Sequence, residues 1–73
     1  MSPHLPHLTS REVVRLVETH GFVFDRQKGS HAVYCHPDGR RVTIPMHASR
    51  TVGIGLLRQI LRDAEIAPDE LRK

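Results

Sequence analysis

The stretch FVFDRQKGSHAVYCHPDGRRVTIP, residues 22–45, decides the predicted fold, because two turn signals divide it into three short runs typical of β-strands. The runs are residues 22–26, 31–36 and 41–44, and each contains aromatic or β-branched side chains. Glycine interrupts the sequence in both intervening segments, which marks them as turns. Because both connections are short, the three runs are predicted to form an antiparallel meander.

The buried face of the second run is left open by the sequence. Val33 and Cys35 lie on one face of a strand and Ala32 and Tyr34 lie on the other, and both pairs are apolar enough to pack in a core.

A helix is predicted before the strands, over about residues 10–20. Thr9 and Glu12 have the spacing of a capping box, in which each side chain satisfies a backbone amide of the other residue. Apolar residues then recur with helical spacing, and Gly21 supplies a left-handed stop. The helical stripe consists of Val13, Leu16, Val17 and His20.

A second helix is predicted after the strands, over about residues 55–65. Its apolar stripe is Leu57, Ile60, Leu61 and Ala64, while charged residues occupy the other positions. The order α-β-β-β-α predicts an α+β two-layer sandwich, with both helices on one face of the three-stranded antiparallel sheet.

A chain of 73 residues has room for one core, so one domain is expected. We place it at residues 9–66, between a flexible N-terminal tail at residues 1–8 and a short C-terminal tail at residues 67–73.

The positive charge of the chain is concentrated in its middle. The formal net charge is +3, yet residues 26–58 contain six arginines and lysines against one aspartate. A local surplus of this kind is typical of a surface that meets phosphates, and a solvated basic face that aids solubility is the alternative.

Cysteine and histidine usage narrows the class of protein. The single Cys35 cannot form an internal disulfide, which favours a reducing compartment, and neither a membrane span nor a signal peptide is evident, so a cytoplasmic location is expected. The six histidines lack metal-ligand spacing, and no second cysteine completes a zinc set. We expect no metal site and no organic cofactor.

The tetrapeptide Lys28-Gly29-Ser30-His31 is the strongest candidate site. Gly29 lets the backbone approach a ligand, Lys28 can pair with a phosphate, and His31 supplies an imidazole, a side chain that can accept and donate a proton. This combination suits cleavage of RNA by its own 2′-hydroxyl, which needs a proton acceptor, cationic donors and a proton donor.

Longer motifs around this site resemble a known family. The motifs are Gly29-Ser30-His31, Tyr34, His36-Pro37-Asp38-Gly39-Arg40, Val42-Thr43-Ile44-Pro45-Met46-His47 and Gly55-Leu56-Leu57-Arg58-Gln59-Ile60-Leu61-Arg62. Together they are similar to the HicA (YcfA-like) mRNA interferase toxins of type II toxin-antitoxin modules. The resemblance covers about residues 9–66. Leu56, Glu65 and Arg50 replace a threonine, a glycine and a lysine that are common in the family.

The resemblance implies a fold like that of double-stranded RNA-binding domains (dsRBDs) and an endoribonuclease whose catalytic residue is His31. It also implies two partners, an mRNA substrate and a HicB-type antitoxin, whereas no membrane and no direct DNA contact are expected. The basic stretch adds candidate RNA-binding residues, namely Lys28, Gly29, Ser30, Arg40, Arg41 and Arg50. His47 and Tyr34 are auxiliary candidates, as a second catalytic histidine and as a ring that stacks on a base. A non-catalytic RNA-binding module and an inactive remnant that binds the antitoxin are the alternative functions.

Overall fold

The structure, a computed structural model, describes residues 5–47 and 50–71 and confirms the α-β-β-β-α order and the α+β class. Its elements are helix α1 (Ser10–Thr19), strands β1 (Val23–Lys28), β2 (His31–Cys35) and β3 (Arg41–Pro45), and helix α2 (Ile54–Ala64), followed by a 3₁₀ turn (Pro68–Leu71). The first strand starts one residue later than predicted and extends to Lys28. The other boundaries lie within one residue of the prediction.

Helix α1 begins with the predicted capping box. The Thr9 side chain accepts a hydrogen bond from the backbone N–H of Glu12 at 3.2 Å, and the Thr9 N–H donates to Glu12 Oε1 at 2.8 Å. The hydrogen bond from the Thr9 backbone is the main reason why the pKa of the Glu12 carboxyl lies below its ordinary value. Val13 and Val17 are then buried on the helix face that meets the sheet.

The sheet has the order β1-β2-β3, and both pairs of neighbouring strands are antiparallel. Ala32 and Tyr34 of β2 join Val42 and Ile44 of β3 in the core cluster that also contains the buried residues of both helices. The two helices therefore cover one face of the sheet. This arrangement answers the question that the sequence left open, because Ala32 and Tyr34 form the face of β2 that packs in the core with the helices, whereas Val33 is buried on the other face and lies outside this cluster.

Strand β1 is the exposed edge of the sheet. All six of its residues are exposed, and Val23 and Phe24 keep 63% and 51% of their surface accessible. The register of β1 against β2 shifts between Phe24 and Arg26, so Asp25 lies at a β-bulge.

Helix α2 ends in a Schellman motif whose left-handed residue is a glutamate. Glu65 has φ 57°, its N–H donates to the carbonyl of Arg62 at 3.1 Å, and the N–H of Ile66 donates to the carbonyl of Leu61 at 2.9 Å. Ile66 and Leu61 are both buried in the core. The two hydrogen bonds and the burial of Ile66 in the core therefore hold Glu65 in this conformation despite its side chain.

Residues outside the predicted domain boundaries contribute to the structure. Leu5 is buried in the core and Leu8 packs against it, while the N–H of Val52 donates to the Leu8 carbonyl at 2.7 Å. At the other end, Glu70 Oε1 lies 2.9 Å from His20 Nε2 and links the 3₁₀ turn to the end of α1. The parts of both predicted tails that the structure describes thus pack on the domain.

We expect Glu65→Gly to raise the free energy of unfolding by about 1 kcal/mol, because a Cβ is costly in the left-handed region and glycine is not. The midpoint of urea unfolding at an unchanged m-value measures this gain. Glu65→Ala is the matched control, since it removes the carboxylate but keeps the Cβ. An equal gain in both variants would contradict the role of backbone strain.

Candidate active site

The β1–β2 connection is a two-residue turn that depends on glycine. Gly29 has φ 58°, and a Cβ added there would meet no atom within 4 Å, so the backbone conformation and not lack of space favours glycine. Gln27 supports the turn, since its Nε2 donates to the Gly29 carbonyl at 3.0 Å. The turn places His31 at the first position of β2.

His31 is exposed and has a cationic neighbour. Its cross-strand partners are Lys28 on β1 and Pro45 on β3. Residues directly opposite each other in a sheet have their Cβ atoms about 5 Å apart, which brings the Lys28 ammonium within reach of a group bound at the imidazole. The structure thus brings together the two ends of the predicted tetrapeptide on one surface.

A buried hydroxyl fixes the end of β3 beside His31. Ser10 is 4% exposed; its Oγ donates to the carbonyl of Pro45 and accepts from the N–H of His47 at 3.2 Å. The N–H of Met46 donates to the Ser30 carbonyl at 2.6 Å and so ties the same segment to the β1–β2 turn. The start of α1, the turn and the end of β3 therefore form one connected unit.

A shallow recess of about 140 Å³ lies at this junction and is lined by Ser10, Arg11, Met46 and His47. Arg11 and His47 are exposed. The recess follows directly on Pro45, the residue opposite His31. A second titratable ring and a second cation thus lie next to the strand end that carries His31.

Sequence reasoning missed Ser10 and Arg11 as site residues. They stand inside the capping box, where their position indicates a helix start and nothing else. Ser10 is 35 residues from its acceptor Pro45, and no local pattern predicts such a contact.

Arg40, a predicted RNA-binding residue, lies in the β2–β3 turn, at the end of β2 that is far from His31. Its guanidinium is bound to other groups of the protein. Its Nε donates to Asp38 Oδ2 at 2.8 Å, its Nη1 donates to the Ala64 carbonyl, and its guanidinium lies 5.2 Å from the centre of the Phe22 ring. The hydrogen bond from the Arg40 side chain is the main cause that lowers the pKa of the Asp38 carboxyl. These contacts fasten the β2–β3 turn to the end of α2.

The other predicted site residues lie at several places in the fold. Tyr34 belongs to the helix-covered face, with its ring centre 5.7 Å from that of Phe24, and burial raises the pKa of its phenol. Arg41 is exposed at the start of β3 and pairs with Cys35. Arg50 is exposed, and its N–H donates to the His47 carbonyl at 3.2 Å. Gly29 and Ser30 lie in the turn itself.

The described ranges, residues 5–47 and 50–71, contain no group of three or more His, Cys, Asp or Glu side chains that could hold a metal ion. Within the same ranges, no helix is long and apolar enough to cross a membrane.

The fold and the site define a small α+β domain of the dsRBD-like type, with an exposed histidine in basic surroundings. The family model of the HicA toxin of bacterial toxin-antitoxin systems matches residues 10–66, and the chain belongs to this family. It is therefore a toxin of a toxin-antitoxin module, in which an antitoxin is its counterpart. A search of curated proteins gives no match.

We expect Ser10→Ala to lower the free energy of unfolding by about 1 to 3 kcal/mol, because the Pro45 carbonyl loses its donor and the His47 N–H loses its acceptor. Amide hydrogen exchange at His47 should also become faster. Ser30→Ala at an exposed turn position is the control and should change stability by less than about 0.5 kcal/mol. Equal stability of the two variants would show that the Ser10 hydrogen bonds contribute nothing.

Proposed function

We propose that this toxin is an endoribonuclease that cleaves mRNA through His31 and needs no metal ion. The observation that carries the proposal is the placement of His31, which is exposed at a strand end, opposite Lys28 and next to the Gly29 turn. The family match supports a toxin, and the chemistry of these residues supports RNA as its target.

The proposed reaction starts from the 2′-hydroxyl of the substrate. As this oxygen attacks the adjacent phosphorus, its proton must leave, negative charge grows on the phosphoryl oxygens, and the departing 5′-oxygen must gain a proton. In total, one proton is lost from the 2′-hydroxyl and one is gained by the 5′-oxygen, and the His31 imidazole takes part in this proton transfer. The Lys28 ammonium stabilises the negative charge on the phosphoryl oxygens. The bond from phosphorus to the 5′-oxygen breaks, and a 2′,3′-cyclic phosphate forms.

Neighbouring groups qualify as auxiliary residues. His47 offers a second imidazole, and the hydrogen bond from its N–H to Ser10 fixes its backbone. Arg11 shares the recess with His47 and offers a second cation. Tyr34 and Arg40 have no part in this mechanism, since each is engaged on another side of the molecule.

We propose further that the antitoxin is of the HicB type and inhibits by covering His31. A partner that presents carboxylates to Lys28 and Arg11 would match the basic surroundings of this residue.

We expect His31→Ala to lower the cleavage rate by about 10²- to 10⁴-fold, because a proton-transfer group is lost. Stability should change by less than about 1 kcal/mol, since His31 is exposed. RNA binding should persist. Growth arrest on induction, cleavage of RNA by the purified protein and thermal unfolding measure these effects.

His7→Ala, at another exposed histidine, is the matched control and should leave cleavage unchanged. His47→Ala should reduce the rate less than His31→Ala does. If His31→Ala cleaves at the wild-type rate, His31 is not the catalytic residue. If the wild type binds RNA without cleaving it, the chain is the non-catalytic binding module.

We expect cleavage to survive a metal chelator and to leave a 2′,3′-cyclic phosphate or the 3′-phosphate formed by its hydrolysis. The reason is that the nucleophile is the 2′-hydroxyl and not a metal-activated water. Mass spectrometry of the product ends and assays with and without EDTA test this expectation. Products that end in a 3′-hydroxyl would refute the mechanism.

A further inference from the structure

The strand register places His31 on the face of the sheet opposite to the one that α1 and α2 cover. Residues paired across neighbouring strands share a face. His31, Val33 and Cys35 are two residues apart along β2, so their rows lie on the same face. The three rows are Lys28, His31 and Pro45; Arg26, Val33 and Thr43; and Val23, Cys35 and Arg41. We call these nine residues the open face. The opposite face carries Ala32, Tyr34, Val42 and Ile44, which pack in the core with both helices.

The open face is accessible over most of its area. Val33 and Pro45 are buried, and the other seven residues are exposed or half-buried. With strands about 4.8 Å apart and a rise of about 3.4 Å per residue, the face measures roughly 10 Å by 14 Å. This area accommodates a few nucleotides.

The open face carries positive charge only. It carries three cations, Arg26, Lys28 and Arg41, and none of its nine residues is acidic. Asp25 at the β-bulge is the neighbouring carboxylate, and its Oδ2 lies 3.9 Å from Arg26 Nε, a distance that is long for a hydrogen bond. Arg26 remains 57% exposed in this contact. The cations therefore remain accessible to an external anion.

We propose that the open face binds a single RNA strand, with backbone phosphates at Arg26, Lys28 and Arg41, and leads that strand to His31. This inference rests on the proposed function and adds to it the surface and the form of RNA that the toxin takes. It also places RNA on the side of the sheet opposite to both helices.

The shape and composition of the open face favour a single strand over a duplex. Shape recognition of duplex RNA spans about 16 base pairs and follows successive grooves, whereas this face is a short sheet with no protruding helix. A single strand is also free to bring its 2′-hydroxyl into line with the bond that breaks. The open face has no Phe, Tyr or Trp, and His31 is its one aromatic ring, so we expect mainly contacts to phosphates and little discrimination between bases.

Charge reversal tests the face that binds RNA. The probe is an unstructured 2′-O-methyl oligoribonucleotide, which keeps the phosphates but has no free 2′-hydroxyl to attack. We expect Arg26→Glu and Arg41→Glu each to weaken binding about tenfold and to lower the log-log salt slope by about 0.7 per lost contact.

Arg58→Glu and Arg62→Glu are the matched controls, since both residues are exposed on α2 and the charge change is the same. We expect them to change affinity by less than about twofold. If the α2 variants lose binding and the open-face variants keep it, RNA binds the helical side and the proposal is wrong. A duplex that binds as tightly as the single strand would also overturn it.

Cys35 provides a second test in the unaltered protein. It is the only cysteine of the chain, it is half-buried, and it lies on the open face between Val23 and Arg41. We expect saturating 2′-O-methyl oligonucleotide to slow alkylation of Cys35 by iodoacetamide several-fold and high salt to restore the free rate. An unchanged rate with bound oligonucleotide would show that RNA leaves the open face uncovered.

The outcomes separate this inference from the proposed function. If Arg26→Glu and Arg41→Glu bind and cleave RNA normally while His31→Ala does not cleave, the function stands and the open face is not its binding surface. If these two variants lose only affinity for the antitoxin, the open face is a protein interface and the inference is wrong. Cleavage by His31→Ala at the wild-type rate removes the catalytic assignment, whatever the binding data show.

Discussion

The register between the three strands is the constraint on which the rest of this structure depends. Successive residues of a strand point to opposite faces, so a slip of β2 by one residue would turn His31 toward the helices and Ala32 toward water. The turns on either side of β2 prevent such a slip. Gly29 and Gly39 have φ values of 58° and 102°, and His36 and Arg40 close the second turn through a backbone hydrogen bond of 2.8 Å.

Most of the fold was predictable because local sequence patterns specify its helices, strands and turns. The capping box, the two helical stripes and the glycine turns specify elements from neighbouring residues, and the structure confirms their order. The buried face of β2 was not predictable, because Val33 is as apolar as Ala32. The pairing of Ala32 with Ile44 places Ala32 on the helix-covered face, and this pairing joins two strands, so the local sequence of β2 does not show it.

The candidate site also combines residues that local sequence patterns predict with residues that only contacts between separate elements bring together. Lys28 and His31 could be found because the turn that joins them is only two residues long. Ser10 could not, because its acceptor lies in another element. Counting charges also treats every arginine alike, whereas Arg40 is engaged by Asp38, Ala64 and the Phe22 ring. Which cations remain available to a ligand is a property of the folded chain.

The bulge at Asp25 has a consequence for the behaviour of the toxin in solution. A bare edge strand with two exposed apolar residues offers its backbone to the edge of another copy, and such pairing leads toward aggregates. The bulge interrupts the regular spacing of backbone donors and acceptors along β1, and the charges of Arg26 and Lys28 oppose approach of an identical strand. The bulge and the charges therefore oppose self-association at the β1 edge, which the described residues 5–47 and 50–71 leave exposed.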